Sequence, residues 1–497
     1  MNRCLLAFLL LLLWFNGYGQ YFPAEGSHLH YRIIAFRVPV KVGICTIEIA
    51  KGNINNLDSF EKNIVKVTQK LNSGMVIAEV PDWGAAYTWR LVTGKKPLEG
   101  LHHFSTLNLP FTDVAKYRLK VSQPATQYSD AFVFCDANRV LYDMKGNAVW
   151  VLPDMEGIVS ATTVIRDLKL SPAGTITFMT MTMAYEIDFS GKILWRAPNT
   201  GAVSGEKTEH YHHEFTRLSN GHYMTLGHEM LSCTWQKTGI NDSALTISRV
   251  NGLPQPTNGG SHFSMPFGTV LEYNASGQLI WSWKYFNYFI KTQQYSAIKD
   301  RRELDSHENA FYFDEKAGYV YLSFKNANQV LKISYPQGQV TQVYNGLEAA
   351  TITGLFCQQH ACKKSAKGYV YLFNNNFCNP DSLPTVIKLK EPVTQKDKIK
   401  KIWEYKCPIS AENFVHPAAT TGGNVCEMPG DALFVSLCSP YGNMFIVNAN
   451  KQKLWNADLE KWDIEKARWI PQEQYRASII TDRKKLEQLV RSAAKAQ

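Results

Sequence analysis

Val140-Leu141-Tyr142-Asp143-Met144-Lys145-Gly146-Asn147-Ala148-Val149-Trp150 is the stretch on which the reading of the fold turns. An apolar strand enters an Asx turn, a glycine lets the chain reverse, and a second apolar strand ends in tryptophan. The unit returns at residues 185–195, with Asp188, Gly191 and Trp195, and at 270–281, with Asn274, Gly277 and Trp281. Weaker copies occupy 330–340, 386–403 and 445–455, which makes six hairpins. Trp150 and Trp195 stand 45 residues apart, and later spacings are roughly 50–60, the period of propeller blades. The wider gap before Trp281 holds an irregular stretch, 228–267. Blades bury their faces against each other, and the recurring tryptophan suits that space. An array of β-sandwiches is the alternative. The expectation is an all-β chain with a six-bladed β-propeller over 121–480.

Outward from the repeat, residues 20–120 lack it. Alternating strands at 33–36, 40–49 and 75–80 flank a polar middle, 51–70, and predict a small N-terminal β-sandwich domain. Residues 481–497 form a charged tail with a helical pattern, so a short C-terminal helix is expected there, with a solvated face or laid over an edge strand. At the other end, Met1-Asn2-Arg3 precedes an apolar run over 4–15, and Gly17 and Gly19 supply small residues at the −3 and −1 positions of a cleavage point before Gln20. That is the pattern of a signal peptide over 1–19. The apolar run is shorter than the about 20 residues of a membrane span. Cys4 precedes the run, where a lipoprotein cysteine would follow it. A periplasmic or secreted chain without a membrane anchor is expected.

Composition narrows the function. The 497 residues are 45% apolar, 12% aromatic and only 19% charged, which argues against disorder. Lys plus Arg number 53 and Asp plus Glu 43, and the resulting +10 is spread thinly. A nucleic-acid partner would call for a cluster; a mild positive field suits small anions. No CxxC occurs, which speaks against a zinc ribbon or a thioredoxin-type motif, and no Gly-rich phosphate loop occurs, which speaks against a doubly wound sheet; no cofactor is expected. Ten cysteines become nine without Cys4, leaving an odd thiol in an oxidising compartment.

Three hairpins that precede a Trp hairpin begin with histidine: His212-His213-Glu214-Phe215, Ser306-His307-Glu308-Asn309 and Gln358-Gln359-His360-Ala361. The first strand of a blade lines the central channel, so residues in equivalent positions of successive blades converge at its mouth. Three readings compete: hydrogen bonds between blades, a three-imidazole metal site with an open position, and a histidine nucleophile supported by neighbouring donors and a cation.

At this point the chain resembles the bacterial arylsulfate sulfotransferases, a PAPS-independent family of exported six-bladed propellers. The likeness rests on His212-His213-Glu214 with Asn220-Gly221, His307-x-Asn309, residues 321–325 with 330–333, Gln359-His360 with Gly368 and Leu372-Phe373-x-Asn375, and Gly423-Asn424-Val425 before Gly430. It spans most of 120–460. The resemblance implies ping-pong transfer of a sulfuryl group from an aryl sulfate donor to a phenolic acceptor. His360 matches the nucleophile. His307 and Asn309 match residues on the sulfuryl oxygens, and His213 or His212 matches the general acid/base. Adjacent strand residues face opposite ways, so only one of the pair points into the channel, and the distance to the turn selects His213. Thr421 or Thr420 matches a threonine near the site. Lys325 stands where the family has arginine, keeping the charge without the bidentate fork, and Ala361 stands where the family commonly has aspartate. No metal is implied. The alternative is a noncatalytic exported propeller that binds a ligand or protein. The oligomeric state is open, a homodimer included.

Two further readings concern neighbours of these motifs. Cys362 and Cys378 flank one hairpin, so a disulfide between them would stiffen the strand that carries His360. Cys357 falls on the opposite strand face from His360, against a Cys–His pair. The aromatics of 281–289 suit blade packing along a strand edge, or the wall of an aryl pocket.

Overall fold

The computed structural model of the chain describes residues 21–38, 44–72, 74–94, 96–98, 100–109, 116–237, 243–248, 261–292, 305–345, 354–378, 383–392, 398–416 and 419–496. The expected leader, 1–19, lies outside them. The described chain is mostly β, and six of its sheets follow one plan.

Each of the six has an inner strand against its neighbours' inner strands. These are β1 (Arg166–Leu170), β2 (Tyr211–Arg217), β3 (Glu308–Asp314), β4 (His360–Lys364), β5 (Asn424–Met428) and β6 (Ala477–Ile480). Each contacts the next, and β6 returns to β1, so the inner strands close a ring. From each inner strand the sheet runs outward by antiparallel hairpins. The β6 sheet is assembled from both ends of the repeat. Ala477–Ile480 pairs with Phe132–Cys135, which starts the hairpins Val140–Asp143 and Ala148–Val151. The C-terminal strand thus completes the sheet that the earliest repeat begins. The strand Tyr117–Gln123 crosses residue 120 and pairs with Lys453–Asp463 in the β5 sheet.

The hairpin motif explains the local geometry. The carboxylate of Asp143 accepts from the N–H groups of Lys145 and Asn147 at 2.9 and 2.8 Å, and Asp188 and Asn274 do the same in their turns. Gly146 adopts a φ of 91°, open to glycine at little cost. The tryptophans act between sheets. The indole N–H of Trp150 donates to Phe189, that of Trp281 to Pro336, that of Trp403 to Ala449 and that of Trp455 to Met144, each a backbone carbonyl of the neighbouring sheet. The Trp455 bond joins the β5 sheet to the β6 sheet across the junction of chain ends. Trp195 instead stacks on Tyr223 of the next sheet, ring centroids 3.9 Å apart. Apolar clusters fill the intervals between sheets.

N-terminal to these sheets, a seven-stranded sheet (Ser27–Leu29, His102–Thr106, Ala86–Thr93, Ile44–Lys51, Ile64–Val67 and two short edge strands) accompanies the two-stranded sheet Ile33–Val38 with Gly74–Glu79. The C-terminal helix, Arg483–Ala496, buries Leu486, Leu489, Val490, Ala493 and Ala494 in one cluster with Ile33, Ile34 and Phe36. It is a clamp between the N-terminal sheets and the β6 sheet, with only its basic face solvated.

Two expectations give way here. The 281–289 aromatics do not continue as a strand: the strand Leu279–Lys284 ends and the helix Tyr285–Lys291 begins, burying Tyr285 and Phe289 beside Phe267 and Phe324. The disulfide is Cys357–Cys378, not Cys362–Cys378. Asn376 N–H donates to the Cys357 carbonyl, which sets 357 beside the end of the hairpin, whereas Cys362 is a buried free thiol packed among Tyr321, Val370 and Leu372.

Candidate active site

β1, β2, β3 and β4 share a device at the end where the histidines lie. In each, the pairing register slips: between Arg166 and Lys169, His212 and Phe215, Glu308 and Ala310, and His360 and Lys363. Asp167, His213 and Ala361 at these bulges, and His307 just before β3, have positive φ of 54°, 62°, 52° and 51°. Bulges re-aim side chains near sites. The consequence is plainest at His212 and His213. Strand alternation sends neighbours to opposite faces, yet their Nδ1 atoms lie 2.7 Å apart. Both are drawn to one side, and they divide it. His212 turns to Glu308, Nε2 to Oε1 3.2 Å, and toward His228. His213 turns inward, its ring 5.2 Å from His307 and 6.0 Å from Tyr475.

His360 is almost wholly buried. Its Nδ1 lies 2.6 Å from Asn375 Oδ1, and Gly422 N–H reaches its Nε2 at 3.3 Å. The amide of Asn375 is itself oriented, because its Nδ2 donates to Thr420 Oγ1 and to the Gly422 carbonyl, both at 3.3 Å. Asn375 Oδ1 therefore faces the imidazole and accepts from Nδ1–H. The Nε2 lone pair is left on the side of Gly422. A side chain at 422 would strike Tyr475, so only glycine brings this N–H so close.

The electrostatics keep two imidazoles neutral. Burial pushes His360 well below the ordinary histidine value; the Asn375 bond opposes this, and the charges of Arg476, Lys325 and His307 add to it. Burial also pushes His213 well below, helped by His212, His307 and Arg476. Lys325, whose backbone N–H donates to the His307 carbonyl, is itself lowered by burial, with Asp305 pulling the other way. Asp305 is held low by the His307 side chain, Nδ1 to Oδ2 3.7 Å, and by the His307 N–H, which donates to its Oδ1 at 3.1 Å.

The remaining expected residues fall as follows. Asn309 is buried, its amide donating to the Gln359 carbonyl at 2.7 Å, so it ties β3 to β4. Thr420 is buried against Asn375, while Thr421 is exposed and spends its backbone on a bridge to Ser439. The structure thus groups Thr420, not Thr421, with His360. Among the described residues, no set of His, Cys, Asp and Glu is arranged to hold a metal ion.

Three residues not anticipated from the sequence complete the site. Arg476, just before β6, donates to Glu214 Oε2 at 2.7 Å, to the His213 carbonyl at 2.9 Å and to the Asn309 carbonyl at 2.7 Å, and pairs with Asp167 at 3.4 Å. Tyr475 stands between His213 and His360, with the Arg166 and Arg476 guanidiniums 4.8 and 5.2 Å from its ring centre. Asn375 was visible only as a motif letter.

The family model described as Arylsulfotransferase (ASST) matches residues 120–416, more than half of the chain. This chain belongs to the arylsulfotransferase family. Family membership indicates a sulfotransferase, and the matched region contains His213, His307, Lys325, Asn375 and His360. Arg476 and Tyr475 lie beyond it, brought in by ring closure. No curated protein matches the arylsulfotransferase chain. Among solved structures, a protein of unknown function from Bacteroides caccae is 11% identical at TM-score 0.38, covering 68% of this chain and 93% of its own. A periplasmic gluconolactonase of Pseudomonas aeruginosa is 10% identical at TM-score 0.32, covering 74% and 99%. Similarity this low carries no argument about either fold or chemistry. Among the described residues no helix is long and apolar enough to cross a membrane, which leaves β-barrels unaddressed, and the disulfide is compatible with export.

Proposed function

We propose that the chain is an exported six-bladed β-propeller over 121–480, preceded by a leader (1–19) and a β-sandwich (20–120) and followed by a helical tail (481–497). It passes a sulfuryl group from an aryl sulfate to a phenol by a ping-pong route through sulfo-His360. The closed ring of inner strands supports the architecture. One observation carries the chemistry: a buried, neutral His360 held by Asn375 in the tautomer whose Nε2 bears the lone pair, with Lys325 and Arg476 near enough to depress its basicity. Neutral imidazole is the nucleophilic form, and the surrounding cations suit the oxygens of the transferring group.

In the first half-reaction Nε2 gives up the Gly422 N–H and attacks sulfur, the S–O bond to the aryl group breaks, and the bond electrons leave with the phenolate. In the second, an acceptor phenol attacks the sulfur of sulfo-His360 while His213 takes its proton, and the N–S pair returns to Nε2. His307 and Lys325 face the sulfuryl oxygens, with Asn309 and Thr420 fixing the strands around them. The expected Ala361 gap is answered by Asn375, an amide in the orienting role. The test is phenol release from nitrophenyl or methylumbelliferyl sulfate with and without an acceptor phenol. Acceptor-dependent turnover that His360→Asn abolishes is expected; no release with any donor would overturn the reading.

A further inference from the structure

A phenol already stands in this site. Tyr475 precedes β6, and its ring lies 6.3 Å from that of His360 and 6.0 Å from that of His213, edge-on to both. It packs on Gly422, the residue whose N–H meets His360 Nε2. Its hydroxyl is buried and has no hydrogen-bond partner among the described residues. A buried phenol normally finds one. The guanidiniums of Arg166 and Arg476 lie over the ring, where they would stabilise negative charge developing on its oxygen.

We infer that Tyr475 is an internal acceptor, sulfated on its phenolic oxygen by sulfo-His360 when no external phenol occupies the site. This rests on the sulfotransferase reading and adds a modification site to it. The Tyr475 oxygen attacks sulfur and an O–S bond forms. The Nε2–S bond breaks and its electron pair returns to His360. The Tyr475 proton passes to the neutral ring of His213. The aryl sulfate supplies the only sulfuryl group, and no oxidant or reductant is involved. The product is an anionic aryl sulfate beside His213, Arg166 and Arg476; with its internal acceptor spent, the chain takes a second sulfuryl group on His360 and holds it until an external phenol arrives. An external phenol competes for the same intermediate, which makes the modification a response to acceptor starvation. Placing an acceptor permanently beside the intermediate favours transfer over hydrolysis because no binding step precedes it.

The experiment uses the full chain and nitrophenyl sulfate in excess without acceptor. Nitrophenol released in the burst is counted per chain, and peptides are mapped by mass spectrometry in the same sample. Two phenols per chain are expected, with one SO3 mass on the peptide holding Tyr475 and one on that holding His360. Tyr475→Phe is expected to halve the burst amplitude and lose the Tyr475 adduct. His360→Asn is expected to lose both adducts. Added acceptor phenol should suppress the Tyr475 adduct. A burst of one phenol with SO3 on His360 alone overturns the inference and leaves the sulfotransferase reading intact. Absence of any burst in the unaltered chain overturns both. Should Tyr475→Phe not fold, the peptide map of the unaltered chain decides alone.

Discussion

His360 has one acceptor on one nitrogen and one backbone donor near the other, and its behaviour follows from that pair. Replacing Asn375 by Ala removes the acceptor for Nδ1–H and frees the ring to choose either tautomer. Loss of a tautomer-setting partner in other His-dependent enzymes costs orders of magnitude in rate, so Asn375→Ala is expected to slow the phenol burst by about 10²-fold or more with little change in donor KM. Asn375→Asp keeps an acceptor and should recover part of the rate, which a merely structural role would not predict. The pH profile makes a second prediction. His360 and His213 are depressed, so their neutral forms persist below pH 6.5, and activity falls only as pH drops through the depressed values. Lys325 contributes to the depression of His360. Lys325→Ala should therefore raise that value and move the acid limb of the burst rate to higher pH, while Lys325→Arg leaves it in place. An unmoved acid limb in Lys325→Ala would show that the ammonium does not act on His360.

The hairpin elements were legible because their parts are local. Asp143, Gly146 and Trp150 announce a turn and a strand end within eleven residues, and the structure adds only that the indole reaches across to the next sheet. Trp455 is the informative case, since its partner, Met144 O, lies at the far end of the sequence. Trp455→Phe keeps an aromatic ring and leaves that carbonyl unpaired, at a cost of about 1–3 kcal/mol. Trp403→Phe, at a more exposed position, should cost less; the difference is read from urea midpoints of the two variants. What was not legible is equally specific. The bulge at 212–215 overturns simple alternation, so the shared orientation of His212 and His213 does not follow from strand phase, and Cys357 lies ahead of the strand His360–Lys364, where the Asn376 N–H to its carbonyl rather than strand phase sets its pairing with Cys378. The Tyr285–Lys291 helix hid inside an aromatic run that has no period long enough to separate helix from strand. Arg476 and Tyr475 gave no signal at all: they carry no motif, and only pairing of β6 with Phe132–Cys135 brings them to the centre.

Across the whole molecule, Arg476 joins elements that the chain order keeps apart. From the start of β6 its guanidinium bonds Asp167 of β1, His213 and Glu214 of β2 and Asn309 of β3. Lys169 of β1 and Lys363 of β4 meet the other Glu214 oxygen, each at 2.8 Å. Closure of the ring is thus registered by charge as well as by the Ala477–Ile480 strand. The burial of Glu214 alone would raise its carboxyl, but the three cations outweigh this and hold it far below the usual carboxylate value. The sign follows: the folded state keeps Glu214 ionised where the unfolded state protonates it, so this stability is present above the ordinary carboxylate value and is lost as pH falls below it. Removing one partner leaves charges buried without compensation. Arg476→Met is expected to cost about 3–5 kcal/mol in urea unfolding. Glu214→Gln strips the three cations of their shared anion and should cost a similar amount. The double variant removes both and should be destabilised by much less than the sum, since residues of one network couple. Additive losses would mean that Arg476 holds the ring through its carbonyl bonds and Asp167 and that Glu214 answers only to the lysines. A coupled loss, together with a flattened acid limb in Glu214→Gln, would place the joint between the two ends of the chain in this buried ion cluster, directly beneath the histidines whose alignment depends on it.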